Sequence, residues 1–177
     1  MKEDVRQRMI EFLPRLRRFA FSLTSDWDQS EDLVQDTYVR ALSKIDQWQV
    51  GTSLESWLFR IAQNLWKDGL KAKKVRGSTT DIGTVQDLIG TDGRTNMESR
   101  LTLNAVTKMI EQLPADQRVL IALVCIDGLS YKEAADVLET PIGTVMSRLC
   151  RARQSLYSMI NEQSPVSEST KLENRRG

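Results

Sequence analysis

Apolar positions recur at the helical period along nearly the whole chain. Val5, Met9, Phe12, Leu13, Leu16, Phe19, Ala20 and Leu23 predict a first amphipathic helix, which Pro14 would kink or split. Asp28 with Glu31 reads as a capping-box-like start for a second helix. Its stripe is Leu33, Val34, Thr37, Tyr38, Ala41, Leu42 and Ile45. Gly51-Thr52-Ser53 forms a turn with a capping hydroxyl, and a third helix follows with Leu54, Trp57, Leu58, Ile61, Ala62 and Leu65 inward. Two-residue alternation is sustained nowhere, so no sheet is predicted.

The pattern fails between about Gly77 and Asn96, where four glycines and scattered Ser, Thr and Asp leave one short apolar run, Val85 to Ile89. That segment reads as a linker with room for one helical turn. Helical spacing returns at Leu101, Ala105, Val106, Met109, Ile110 and Leu113, and again from Val119 to Ile126. The polar end, with Pro165, should be disordered. The expected fold is therefore all-α, with small helical domains over 1–75 and 100–161, a flexible linker over 76–99 and a tail over 162–177. Cores of that size are marginal, so docking onto a larger partner fits.

Residues 128–156 carry the sharpest local signal. Gly128-Leu129 ends one helix; Ser130 and Glu133 make a capping box for a short helix, Tyr131 to Leu138, with small Ala134 and Ala135 inside it. Glu139-Thr140 is a tight connection to Pro141, which suits a first helical position. The last helix turns Ile142, Val145, Leu149, Ala152 and Leu156 inward and Thr144, Ser147, Arg148, Arg151 and Gln154 outward. This is the layout of a helix-turn-helix whose outer face meets the major groove. A plain helical hairpin with a solvated basic face would share the spacing, but not the agreement of caps, spacing and charge.

Composition narrows the chemistry. The 177 residues carry 25 Lys+Arg against 24 Asp+Glu and contain no histidine. Histidine-dependent triads, imidazole acid–base steps and nearly all zinc sites are thereby excluded. Two cysteines, Cys125 and Cys150, are too few for a disulfide framework, which suits a reducing, cytoplasmic setting. No apolar run predicts a membrane span, and the first residues predict no secretory leader. No cofactor, metal or enzymatic activity is expected. The near-neutral total conceals two cationic blocks. Arg60, Lys67, Lys71, Lys73, Lys74 and Arg76 face only Asp68, and Arg148, Arg151 and Arg153 lie in a stretch without an acid. Either block alone could be a solvated face; together they suggest a polyanion site.

These residues resemble a family. Gly128 to Ala135, then Pro141 to Val145 with Ser147-Arg148, and the upstream Leu113 to Arg118, look like region 4 of bacterial sigma-70 factors. Glu31 to Thr37, Arg40-Ala41-Leu42 and Trp57 to Asn64 look like region 2. The two motif sets, in order, cover about residues 10 to 160. With no room for regions 1.1 and 3, the chain resembles the extracytoplasmic-function (group 4) class. Gly51-Thr52 and Phe19 to Thr24 are similar to its general-stress-response branch.

The resemblance implies an alternative sigma factor that binds core RNA polymerase, directs promoter recognition in a stress or envelope response and is held inactive by an anti-sigma factor. It implies that Asp32, Gln35, Asp36 and Arg40 dock on the polymerase. Trp48, Ser53, Arg60, Gln63, Asn64, Lys67 and Lys71 would hold the melted minus-ten element, with Asn64 at the base-reading position beside a pocket for one extruded base. Thr144, Met146, Ser147, Arg148, Cys150 and Arg151 would meet the duplex minus-thirty-five element. Met146 departs from the family's usual Lys or Arg, which removes a phosphate or guanine contact. A decoy that sequesters an anti-sigma protein without touching DNA is the alternative, though the cationic tracks argue against it. A simple operator-binding regulator would leave the N-terminal motifs unexplained.

Overall fold

The computed structural model describes residues 2–49, 51–75 and 105–163, and every regular element among them is helical. The linker expected over 76–99 lies outside the described residues, as does the tail expected over 162–177 except for Glu162 and Gln163, which are not disordered but end the last helix. Helix α1 is Lys2–Thr24, α2 Trp27–Ser43 and α3 Leu54–Val75, with a single 3-10 turn at Ile45–Gln47 before the last. Residues 105–111 form α4. Helix α5, Ala115–Leu120, runs directly into a π-helical stretch, Ile121–Ile126; α6 is Tyr131–Leu138 and α7 Ile142–Gln163.

Two sequence expectations about helix ends are corrected. Pro14 does not split α1, which continues through it; the Ile10 carbonyl that the missing N–H leaves without a helical donor belongs to an exposed residue and can turn to water. The cap of α2 is Asp26, not Asp28. Asp26 has the extended backbone that a cap needs, and its carboxylate accepts from the Gln29 N–H at 2.8 Å. Asp28 sits inside the first turn, where its charge still favours the helix dipole. At α6 the expected box is present: Ser130 Oγ accepts from Glu133 N–H and the Glu133 carboxylate accepts from Ser130 N–H.

The first three helices close around Phe59, fully buried on α3 and edge-on to Phe12 and Phe19 of α1, with centroids at 4.9 and 4.8 Å. Tyr38 of α2 donates to the Met9 carbonyl of α1 at 2.7 Å, and burial pushes its phenol up to about 12, so it stays a donor. Phe59 and Trp66 join the core beyond the six positions expected on α3. Leu42 and Ile142, expected inside, are each 49% exposed. In the other half, Leu113, Val119, Leu120 and Leu123 pack on Val137, Val145, Leu149 and Ala152.

The two halves are not separate beads. One apolar cluster runs through both, with α1 against the π-helical stretch and α3 against α6. The π widening has a consequence for the seam. Asp127 N–H reaches back to the Ala122 carbonyl at 3.0 Å, and Gly128, at φ +81°, makes the left-handed exit. Asp127 is thereby pressed onto α1, where Arg15 grips its two carboxylate oxygens at 3.2 and 2.6 Å. The Asp127 side chain is 2% exposed. Its hydrogen bond raises the Arg15 guanidinium above its ordinary value against the opposing effect of burial. No described helix is long and apolar enough to cross a membrane.

Phe59→Ala should therefore cost about 3–5 kcal/mol, by lost transfer energy plus the cavity left between α1 and α3. Urea unfolding measures it; a loss under about 1 kcal/mol would show that this ring does not organise the first half.

Candidate nucleic-acid interface

Three faces carry the residues singled out above. On α2, buried Leu33, Val34, Thr37 and Ala41 fix the helix against its neighbours, so Asp32, Gln35, Asp36 and Arg40 are all turned to solvent. Exposed Val39 and Leu42 lie among them, an apolar component missed by the sequence reading because Leu42 fitted the inward stripe. Asp32 and Asp36 also border a groove of about 530 Å³ floored by Leu23, Leu65 and Trp66. Glu111 and Arg118 reach the same groove from the other half.

The second face is α3 and the turn before it. Gly51, at φ +100°, supplies the left-handed residue that the turn needs, and the Thr52 N–H closes it on the Gln49 carbonyl at 3.1 Å. Ser53 caps α3, accepting from the Ser56 N–H at 3.1 Å. Trp48 is half-buried beside it, and Asn64 is exposed about three turns into α3, on its open side. Gln63 is not on that open side: it is only 5% exposed. Its amide nitrogen donates to the Asn64 side-chain oxygen at 2.7 Å, so its place is behind Asn64, orienting it. Trp57 packs half-buried against the core.

Four cations of α3, Arg60, Lys67, Lys71 and Lys73, are engaged within the chain. The Arg60 guanidinium spans the C-terminal end of α6, donating to the Asp136 carbonyl at 2.6 Å, the Val137 carbonyl at 3.3 Å and the Glu139 carboxylate at 2.8 Å. Carbonyls at a helix C-terminus lack helical partners and carry the negative end of the dipole, so a cation fits there. Lys67 pairs with Asp116 at 2.7 Å, Lys71 with Asp68 at 3.2 Å, and Lys73 donates to Gln29 at 2.6 Å.

The third face is α7. Inward Val145, Leu149 and Ala152 leave Met146, Ser147, Cys150 and Arg151 exposed together, the surface expected of a recognition helix. Thr144 is half-buried, and its carbonyl accepts from Ser147 Oγ. Arg148 is turned aside, reaching the second oxygen of Asp116 at 3.3 Å. Tyr131 and Tyr157 were not anticipated; with Cys150 and Arg153 they line a hollow of about 450 Å³ beside this face. Their only sequence cue is helical spacing, since Tyr157 lies four residues beyond Arg153.

Asp116 thus holds one cation from the α3 face and one from the α7 face. Its bonds to Lys67 first, and the Arg148 charge beyond them, keep its carboxyl below the usual aspartate range despite partial burial. Arg118 adds a second tie, donating to the Leu23 carbonyl at the end of α1 at 3.0 Å and to the Glu111 carbonyl, over the Trp66 ring. Leu113 to Arg118 was legible as a motif; the roles of Asp116 and Arg118 were not, because their partners are remote in sequence.

Comparison with known proteins agrees with both motif sets. Family models for Sigma-70 region 2 and Sigma-70 region 4 match residues 9–76 and 103–156. Over 160 residues the chain is 33% identical to the ECF RNA polymerase sigma factor EcfG of Rhodopseudomonas palustris (strain TIE-1), covering 90% of this chain and 87% of that one. The sigma factor RpoE of Bartonella quintana, solved with the anti-sigma factor NepR, superposes with a TM-score of 0.74 at 34% identity, over 92% of this chain and 99% of that one. CnrH, solved with the cytosolic domain of CnrY, gives 0.70 at 26% identity, over 93% and 92%.

The Asp116 bridge has a defined pH dependence. A carboxyl held below its unfolded value contributes stability that is complete above the ordinary aspartate pKa of about 3.9 and is lost as pH falls through the folded value. The urea midpoint of the wild type should therefore approach that of Asp116→Asn as pH drops from about 5 to about 3. Parallel curves over that range would contradict the assignment.

Proposed function

Because the chain belongs to the extracytoplasmic-function class of the sigma-70 family of RNA polymerase sigma factors, we propose that its three faces divide promoter recognition between them. The exposed face of α2 docks on core polymerase, with Asp32, Asp36 and Gln35 ringing Val39. The α3 face and the Gly51 turn hold the melted minus-ten strand, with Asn64 reading an extruded base. The α7 face reads the duplex minus-thirty-five element through Ser147, Cys150 and Arg151, with Met146 suited to a thymine methyl. The polymerase performs the covalent chemistry; a sigma factor is not an enzyme. Its place of work is the cytoplasm, and the Phe19–Thr24 and Gly51-Thr52 segments favour the general-stress-response branch.

The single observation that carries the mechanism is the shared carboxylate of Asp116. Lys67 and Arg148, each expected to neutralise promoter phosphates, are both spent on it, while Arg60 is spent on the end of α6. The free chain is then a closed form, and promoter binding exchanges these intramolecular acids for phosphates as the halves part. An anti-sigma factor is the natural stabiliser of the closed form. In support, RpoE and CnrH were each solved with such a regulatory partner, and the groove beside Asp32 and Asp36 is built from both halves. A decoy would have no use for an exposed Ser147–Arg151 surface.

Reconstituted transcription with core polymerase on a fragmented genomic library tests the reading. New start sites sharing two upstream elements are expected; failure to bind core would overturn it. On such a promoter, Asn64→Ala should lower open-complex formation about tenfold while sparing polymerase affinity, and Arg151→Ala should weaken upstream duplex binding by about the same factor. Unchanged values would remove those two assignments.

A further inference from the structure

Arg8 of α1 lies outside every motif considered so far, yet it touches both ends of the turn that precedes α3. Its guanidinium donates to the two Glu55 carboxylate oxygens at 3.1 and 3.4 Å. The same group lies 6.0 Å from the centroid of the Trp48 ring. Glu55 is one residue into α3 and Trp48 closes the 3-10 turn, so one α1 side chain spans the entry and the exit of residues 48–55.

The connection continues inward. Ser53 Oγ donates to Glu55 at 3.0 Å and at the same time caps α3 by accepting from the Ser56 N–H. Burial alone would raise the Glu55 carboxyl; its backbone N–H, with Arg8 and Ser53, outweighs that and holds it below its ordinary value. It is therefore a fixed anion at neutral pH. Trp48 lacks a comparable polar anchor: its indole Nε1 is enclosed without a hydrogen-bond partner among the described residues. Ring orientation there depends on packing and on the cation over its face.

We infer that Arg8 is a positioning residue for the minus-ten base pocket, fixing Trp48 and Ser53 through its contacts with the indole face and Glu55. The inference rests on the reading of the α3 face as the base reader. A turn with a left-handed glycine has freedom to lose, and a pocket that must compensate the unstacking of a base gains from walls that are already ordered. Arg8 supplies that order without touching the base. Lysine at position 8 would keep the ion pair with Glu55 but give up the planar guanidinium that faces the ring and both carboxylate oxygens.

The test uses holoenzyme and four promoters that differ only at the extruded base, scored by permanganate reactivity of the melted strand. Wild type should favour one base by about tenfold or more. Arg8→Ala and Glu55→Gln should shrink that preference to about threefold or less, with core affinity and thermal midpoint little changed, and Arg8→Lys should fall between. Undiminished preference in all three variants, or an equal loss on all four promoters, would overturn the inference, the latter showing a purely structural role. Asn64→Ala separates the two levels. If it also leaves the preference intact, the base-reading assignment itself fails; if it abolishes the preference while Arg8→Ala does not, only the positioning role fails. Should Arg8→Ala not fold, Glu55→Gln and Arg8→Lys decide the question.

Discussion

A carboxylate sealed from water must have its counter-charge beside it, and Asp127 imposes that condition on the whole chain. Without Arg15, the counter-charge left to Asp127 would be Arg18, 3.9 Å away on an exposed side chain. Arg15 meets the requirement from a helix 112 residues earlier in the chain. The π-helical stretch delivers Asp127 to α1, and once Arg15 is engaged, the register between the halves is set. With that register, α6 ends opposite Arg60, and Asp116 falls between Lys67 and Arg148.

The seam is therefore graded. In the Arg15–Asp127 pair the acid is enclosed and held through both of its oxygens, although the Arg15 side chain reaches water. The pairs made by Arg60, Lys67 and Arg148 leave both partners partly exposed, with side-chain exposures of 34 and 69% for Arg60 and Glu139. Pairs of that kind contribute about 0–1 kcal/mol each and weaken with salt. Such links are well suited to exchange, since a phosphate can replace a carboxylate or a carbonyl at little net cost. A polyanion would loosen the outer seam first, leaving Asp127 as the step whose opening needs help from a larger partner.

Much of this was visible in the chain. The helical stripes, the Ser130–Glu133 box, the Gly51 turn and the exposed Ser147–Arg151 surface all depend on residues within a few positions of one another, where spacing and capping chemistry decide the outcome. Misreadings came where tertiary packing, not local spacing, decided which face of a helix is covered. Gln63 looks like a member of the polar track of α3, but the packing buries it, with its amide nitrogen bonded to the neighbouring Asn64. Leu42 and Ile142 fit an apolar period whose edge the packing leaves uncovered. Arg8, Arg15, Asp116 and Asp127 carry no local signal, for charged residues on a helix are ordinarily solvated and only the fold brings their partners to them.

If the free chain is closed across this seam, joining polymerase and promoter must open it. Single-molecule energy transfer tests it most directly, with one label on exposed Glu11 of α1 and one on exposed Ser158 of α7, introduced as cysteines after replacement of Cys125 and Cys150. One narrow high-transfer population is expected for the free protein and a low-transfer population in the promoter-bound holoenzyme. A broad, salt-insensitive distribution in the free chain, or the same high transfer in both states, would contradict that expectation.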